Sequence, residues 1–234
     1  MAFFHQPGGR QPFLRAPAVV LGLAAVLLAI EALSQFVFPD DRAQIFVQFG
    51  FVPARYSHAF LVTHLMNAGS LFDRTLPFVS YIFIHADWTH VVINTIWLLP
   101  FGSVVARRYG AVLFLLFFLV CGIAGAAFHL VLNWGSTSPV IGASAAVSGL
   151  MGAAFRMMPE GLYAPLHPLF SRIVILWSVV WIGLNAVVGI TGFGAGPGIH
   201  TVAWEAHIGG YFAGLLLASP LDALRALWLP RQNA

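Results

Sequence analysis

Apolar residues run almost unbroken through six stretches of the chain: roughly Pro17 to Phe38, Thr89 to Ala106, Ala111 to Leu132, Ile141 to Met158, Phe170 to Ile190 and His200 to Ser219. Polar residues, Gly or Pro bound each of them, and each is close to the ~20 residues a helix needs to cross a bilayer. The pattern predicts six helices. The one long connection, Pro39 to Trp88, mixes Asp40, Asp41, Arg42, Arg55, Asp73, Arg74 and Asp87 with Phe, Leu and Trp. Loops of that length usually carry structure of their own, and its apolar pieces Phe46 to Phe51 and Leu76 to Phe83 predict short helices resting in the membrane interface.

Composition narrows the class. With 59% hydrophobic and 8% charged residues, the chain falls far from a soluble domain, in which charged residues make up about a quarter. The reading is a multi-pass membrane protein in a lipid bilayer: a leader 1–16, a six-helix membrane domain 17–219 and a tail 220–234. A net charge of +3 does not signal nucleic acid, because all eleven basic residues are Arg and most flank apolar segments. Placing the N-terminus in the cytoplasm puts Arg10, Arg15, Arg107, Arg108, Arg156, Arg172, Arg225 and Arg231 inside and leaves the stretches Asn133 to Pro139 and Thr191 to Ile199 outside without charge. The positive-inside bias therefore predicts N-in, C-in topology with a long first outer loop. The leader carries Arg10 and Arg15 and lacks a small-residue cleavage site, so it is expected to be retained, and a bacterial inner membrane is the expected location. The lone Cys121 lies in an apolar run and reads as packing. No internal repeat of the kind found in inverted-repeat transporters stands out.

Against this background a few polar residues carry candidate chemistry, since polar groups inside a membrane are functional candidates by default. Ser144 lies about four residues into the fourth predicted helix and His207 about seven into the sixth, so at 1.5 Å per residue their depths differ by only about 4 to 5 Å. A serine hydroxyl becomes a useful nucleophile when a neutral imidazole takes its proton. Acyl transfer also needs donors for the developing oxyanion, each worth roughly 3 to 4 kcal/mol. His90 and Asn94 stand four apart and so share a helical face, and the Ser144 amide near a helix start is another candidate. Gly142, Ala145, Gly149, Gly152 and Ala153 in one helix and Gly209, Gly210, Ala213 and Gly214 in the other would allow the close approach this chemistry requires.

Three motifs occur in order: Phe83-Ile84-His85-Ala86-Asp87-Trp88-Thr89-His90-Val91-Val92-Ile93-Asn94, then Gly142-Ala143-Ser144-Ala145 continuing to Gly149-Leu150-Met151-Gly152, then Ala206-His207-Ile208-Gly209-Gly210-Tyr211-Phe212-Ala213-Gly214. In these the chain resembles the rhomboid family of intramembrane serine proteases. The resemblance implies Ser144 as nucleophile, His207 as base, and His90, Asn94 and the Ser144 amide as oxyanion hole, in a water-filled cavity open to the outside. The implied substrates are single-span membrane proteins cut near the outer end of their transmembrane helix, with no metal or other cofactor. Three departures stand out. Ala145 follows the serine where the family usually has glycine, and Ser148 stands where many members have an aromatic residue packed on the histidine, so Trp204 or Trp97 is expected to hold His207 instead. The Trp-Arg pair that many members carry in the first loop is absent.

His85 reads as structural, orienting the loop, while His5, His58, His64, His129, His167 and His200 read as interfacial or solvated. Glu205, two positions from His207, does not share its helical face. A zinc protease lacks its HExxH pair here, and an aspartyl protease would need two membrane carboxylates where only Glu31 and Glu205 lie near a span. A rhomboid-like protein that binds transmembrane helices without cutting is the non-enzymatic alternative, although both Ser144 and His207 are present. A transporter would need a polar path through both membrane halves.

Overall fold

A computed structural model describes residues 16–64, 69–157, 164–191 and 202–228. Most of the leader with His5, the Gly192 to Gly198 stretch, His200 and the tail beyond residue 228 lie outside the described residues. Among the described residues the chain is helical, with a single isolated antiparallel bridge between Phe51 and Val140 and no strand. The helices are α1 (Ala18–Phe36), α2 (Arg42–Phe49), α3 (His58–Thr63), α4 (Leu71–Thr75), α5 (Pro77–Ser80), α6 (Trp88–Leu132), α7 (Ser144–Met157), α8 (Arg172–Thr191) and α9 (Trp204–Trp228). Of these, α1, α6 and α8 are long and apolar enough to cross a membrane.

At 45 residues α6 is about twice the length of one crossing, and it is broken at Gly110, whose φ of 79° lies in the left-handed region that suits glycine. The chain reverses there. A Cβ on Gly102 would lie 3.4 Å from the Phe114 ring, whereas twelve residues of straight helix would hold the two about 18 Å apart. The halves 88–109 and 111–132 therefore correspond to the second and third apolar runs.

The fourth run differs from its expectation. The helix starts at Ser144, so α7 has 14 residues and Ser144 is its first residue, not its fourth. Val140 is drawn out of helical conformation by two backbone hydrogen bonds with Phe51, at 2.8 and 2.9 Å, and Gly142 takes a φ of 113°. Ala143 accepts the first helical bond, from the Val147 amide, at 2.9 Å.

In the long connection, the short helices α2 and α5 and the 3-10 turn Tyr81–Phe83 cover the two apolar pieces singled out in the sequence. Arg42 ties this region to α1: its guanidinium donates to Ser34 Oγ at 3.0 Å, to Glu31 Oε1 at 3.2 Å and to the Ala86 carbonyl at 2.6 Å. Glu31 is 1% exposed, a buried charge held by its partner.

α7 lies at the centre, walled by α6 and α9; its residues from Ala145 to Met157 are all buried. At the end of the bundle remote from Ser144, Arg107 and Arg172 are exposed, but Arg108 and Arg156 are not solvated flanking charges. Arg108 is buried and grips Asp222 of α9 through Nε and Nη2 at 2.7 and 2.8 Å. Arg156, also buried, donates to the carbonyls of Leu215 and His167 at 2.7 and 3.0 Å. Such forked donors tie a mid-helix carbonyl of α9 and a carbonyl of the connection between α7 and α8 to one side chain.

Candidate active site

Small residues bring α7 and α9 together. A Cβ on Gly210 would strike the carbonyl oxygen of Ala145, and one on Gly214 would strike that of Gly149. This backbone-to-backbone approach sets Ser144, at the start of α7, against His207, in the first turn of α9. The His207 Nε2 lies 2.7 Å from Ser144 Oγ, within hydrogen-bond range. The two helix boundaries both differ from their predicted positions, and each shift leaves the residue about three positions nearer the start of its helix.

Two α6 residues complete the group. Asp87 caps the helix by accepting from the His90 amide at 2.8 Å. The Ala86 amide donates to His90 Nδ1 at 3.4 Å, which leaves Nε2 as the protonated nitrogen. That nitrogen faces Gly142, where a Cβ would come within 2.7 Å of it; at this position both the positive φ and the imidazole exclude a side chain. Asn94 is buried and donates through Nδ2 to the His90 carbonyl at 2.9 Å, with a second N–H remaining on the same nitrogen. As the first residue of α7, Ser144 has an amide without an intrahelical acceptor. His90, Asn94, Ser144 and His207 all line one cavity of about 320 Å³, otherwise largely walled by apolar side chains such as Trp97, Met151 and Trp181.

His85 does not line this cavity. It is 1% exposed and its Nε2 accepts from the Ala143 amide at 3.3 Å, so it holds the turn that leads into Ser144. Burial pushes its imidazole down to about 3, which keeps the ring neutral and able to accept. The structural reading of His85 thus has a specific object, the residue before the candidate nucleophile.

The departures at Ala145 and Ser148 have local explanations. The Ala145 methyl points at α6, where the facing residue is Gly125; a Cβ there would come within 2.7 Å of it. Ser148 is buried, and its hydroxyl donates to the Ser144 carbonyl at 2.7 Å within its own helix. His207 is held by neither Trp204 nor Trp97. Its Nδ1 lies 2.7 Å from Oδ1 of Asn185 on α8, a residue the sequence reading did not single out. The signal was available, since an amide side chain in the middle of an apolar run is itself an intramembrane polar group. One further histidine, His129, departs from the expectation of an interfacial or solvated side chain. His129 is 7% exposed and pairs with Glu205 at 3.4 Å, and His167 is half-buried, with its backbone bonded to Arg156. His58 and His64 are exposed, as expected.

Comparison with known proteins adds the decisive observation: the sequence matches the Rhomboid domain over residues 72–222, which includes every residue of this cavity. The chain belongs to the rhomboid family. It is also 33% identical over 154 residues to the Rhomboid protease GluP of Bacillus subtilis (strain 168). That match covers 65% of this chain and 26% of the relative, so the chain spans about a quarter of that protein's length. Rhomboid membership together with the apolar helices makes this an integral membrane protein with an all-helical bundle.

Proposed function

We propose that this rhomboid is an intramembrane serine endopeptidase that cuts transmembrane helices of membrane-protein substrates near their outer end. The observation carrying the reading is the 2.7 Å approach of His207 Nε2 to Ser144 Oγ inside an apolar cavity. Ser144 attacks the scissile carbonyl carbon while His207 Nε2 takes the hydroxyl proton. The oxyanion that forms accepts from His90 Nε2, from the second N–H of Asn94 and from the Ser144 amide. As the tetrahedral intermediate collapses, the imidazolium returns its proton to the departing amine. Water, activated by the same imidazole, then hydrolyses the acyl-enzyme. Every proton in this sequence is handled by His207, so neither a metal nor another cofactor enters.

The topology that fits this chemistry is six spans with both termini in the cytoplasm, provided by α1, the two halves of α6, α7, α8 and α9. Arg107, Arg108, Arg156, Arg172 and Arg225 then lie on the cytoplasmic side, and the connection between α1 and α6 lies outside. The leader 1–16 and tail 220–234 flank a membrane domain at 17–219. Substrates are single-span proteins whose helix unwinds locally, because an intact transmembrane helix keeps its peptide groups in its own hydrogen bonds. α8 is the element best suited to move aside for them, since only Val174 and Asn185 of its residues are buried. The bacterial inner membrane is the proposed location.

The test is incubation of the purified full chain in detergent with a single-span substrate, alongside labelling by a fluorophosphonate that forms an adduct with an activated serine. The expected results are cleavage within the outer part of the substrate helix and one adduct, located on Ser144 by mass spectrometry. An adduct elsewhere, or binding of substrate helices with neither cleavage nor adduct, would replace the protease with a helix-binding rhomboid.

A further inference from the structure

The geometry points to Asn185 of α8 as the residue that positions His207 and fixes its tautomer, so that the base is competent only when α8 is seated on α9. The inference rests on the serine-protease reading of the site and extends it to a residue outside the three motifs.

The argument begins with the two ends of one amide. Asn185 Nδ2 lies 2.8 Å from the carbonyl oxygen of Trp181, one turn earlier in the same helix. A carbonyl only accepts, so the amide nitrogen must be the end on that side, and Oδ1 is the end turned toward His207. Oδ1 also only accepts. At 2.7 Å from it, His207 Nδ1 must carry the proton, and a neutral imidazole with its proton on Nδ1 has its lone pair on Nε2, facing the Ser144 hydroxyl. The Trp181 carbonyl, the Asn185 amide, the imidazole and the serine form one directional chain in which each step dictates the next. A catalytic histidine needs such a partner on its far nitrogen, and Ser148, where an aromatic ring could have packed on the imidazole, is bonded within α7 instead.

The placement of Asn185 gives this contact a second consequence. α8 presents most of its surface outward, and Asn185 is 3% exposed. Besides Val174, it is the only α8 residue that is buried. A second polar tie from α8 to α9 is the 2.7 Å contact of Ser178 Oγ with the Tyr211 hydroxyl, about two turns away from Asn185. Movement of the Asn185 turn away from α9 would therefore free the imidazole to rotate or to exchange its proton to Nε2, the tautomer that cannot accept from Ser144.

The experiment combines kinetics with nitrogen NMR of the full chain in detergent micelles, with ring-15N histidine and the His207 resonances assigned from a His207→Ala sample. In the wild type His207 is expected to read as the Nδ1–H tautomer. Asn185→Leu, which keeps the size but removes the acceptor, is expected to lower the Nδ1–H population and to reduce kcat about 100-fold, with KM within about twofold, while Asn185→Asp, which keeps an acceptor, retains more activity than the leucine variant. A wild-type His207 protonated on Nε2 would overturn the assignment, as would a leucine variant with unchanged tautomer and kcat. Should the leucine variant fail to fold, the wild-type spectrum still decides, and Asn185→Asp is expected to keep His207 protonated on Nδ1, an Nε2–H reading there overturning the assignment. The serine-protease reading fails separately, through the absence of a Ser144 adduct, and the tautomer can be read whether or not the chain cleaves a substrate.

Discussion

Alanine at Ser144 or at His207 is expected to reduce cleavage of a single-span substrate by a factor on the order of 10⁵ to 10⁶, and alanine at both by no more than either alone. The reason lies in the 2.7 Å hydrogen bond between them. The hydroxyl attacks only as fast as the imidazole removes its proton, and the imidazole has nothing to activate once the hydroxyl is gone, so the pair acts as a unit and its losses do not add. At about 1.4 kcal/mol per decade the missing stabilisation amounts to roughly 7 to 8 kcal/mol. Single-turnover rates in detergent would measure it, with thermal melts to establish that the variants fold. Independent losses that sum in the double variant, or cleavage by Ser144→Ala that a chelator suppresses, would show that a different group performs the chemistry.

Gly210→Ala is the second large effect, and it acts without touching a reacting atom. The added methyl would meet the Ala145 carbonyl oxygen and lie 3.3 Å from the Ala145 Cα. Backbone cannot swing aside as a side chain can, so α7 and α9 must separate. Ala145 follows Ser144 directly, and Gly210 sits one turn after His207, so the separation falls on the reacting pair. A misplacement of about 1 Å commonly costs about 10²-fold in rate, and overpacking of this kind destabilises by about 1 to 3 kcal/mol. The expected outcome is therefore a kcat reduced at least 100-fold with a melting temperature only a few degrees lower. Gly22→Ala in α1 supplies the comparison, because no atom lies within 4 Å of the added methyl; it should leave activity unchanged and gain up to about 1 kcal/mol of stability. Equal behaviour of the two variants would mean that the α7–α9 approach does not set the site.

Much of this arrangement was legible in the chain because its signals are local and repeated. Long apolar runs mark helices whatever they pack against, and the three ordered motifs carry Ser144, His90, Asn94 and His207 with them. What could not be read depends on partners far away in sequence. The start of α7 is set by Phe51, 89 positions before its bridge partner Val140, and a helix boundary fixed by such a pairing leaves no periodic trace around Ser144. Arg108 and Arg156 look like charges flanking a span, and their burial depends on Asp222 and on carbonyls of Leu215, His167 and Ala164 that no spacing rule connects to them. His129 was similarly hidden by its dependence on Glu205. Asn185 is different in kind: its polarity is visible in the sequence, but an aromatic ring packs on an imidazole from a neighbouring position, whereas the hydrogen bond from His207 reaches across to a helix 22 positions earlier in the chain.

The close fit of the Ala145 methyl against Gly125 links two positions of the sequence that have no chemistry in common. There is room for one methyl between these helices and not for two. The methyl fits on α7, as here, and not on the second half of α6, where a Cβ on Gly125 would also come within 2.6 Å of the Ala206 carbonyl oxygen of α9 and prise apart the walls around the nucleophile. Alanine at position 145 thereby depends on glycine at position 125, and rhomboid sequences that keep this packing should hold glycine at 125 whether 145 is glycine or alanine; frequent alanine at 125 across an alignment would show that the gap is wider than this chain makes it. The residue beside the nucleophile thus carries a record of what stands on the neighbouring helix.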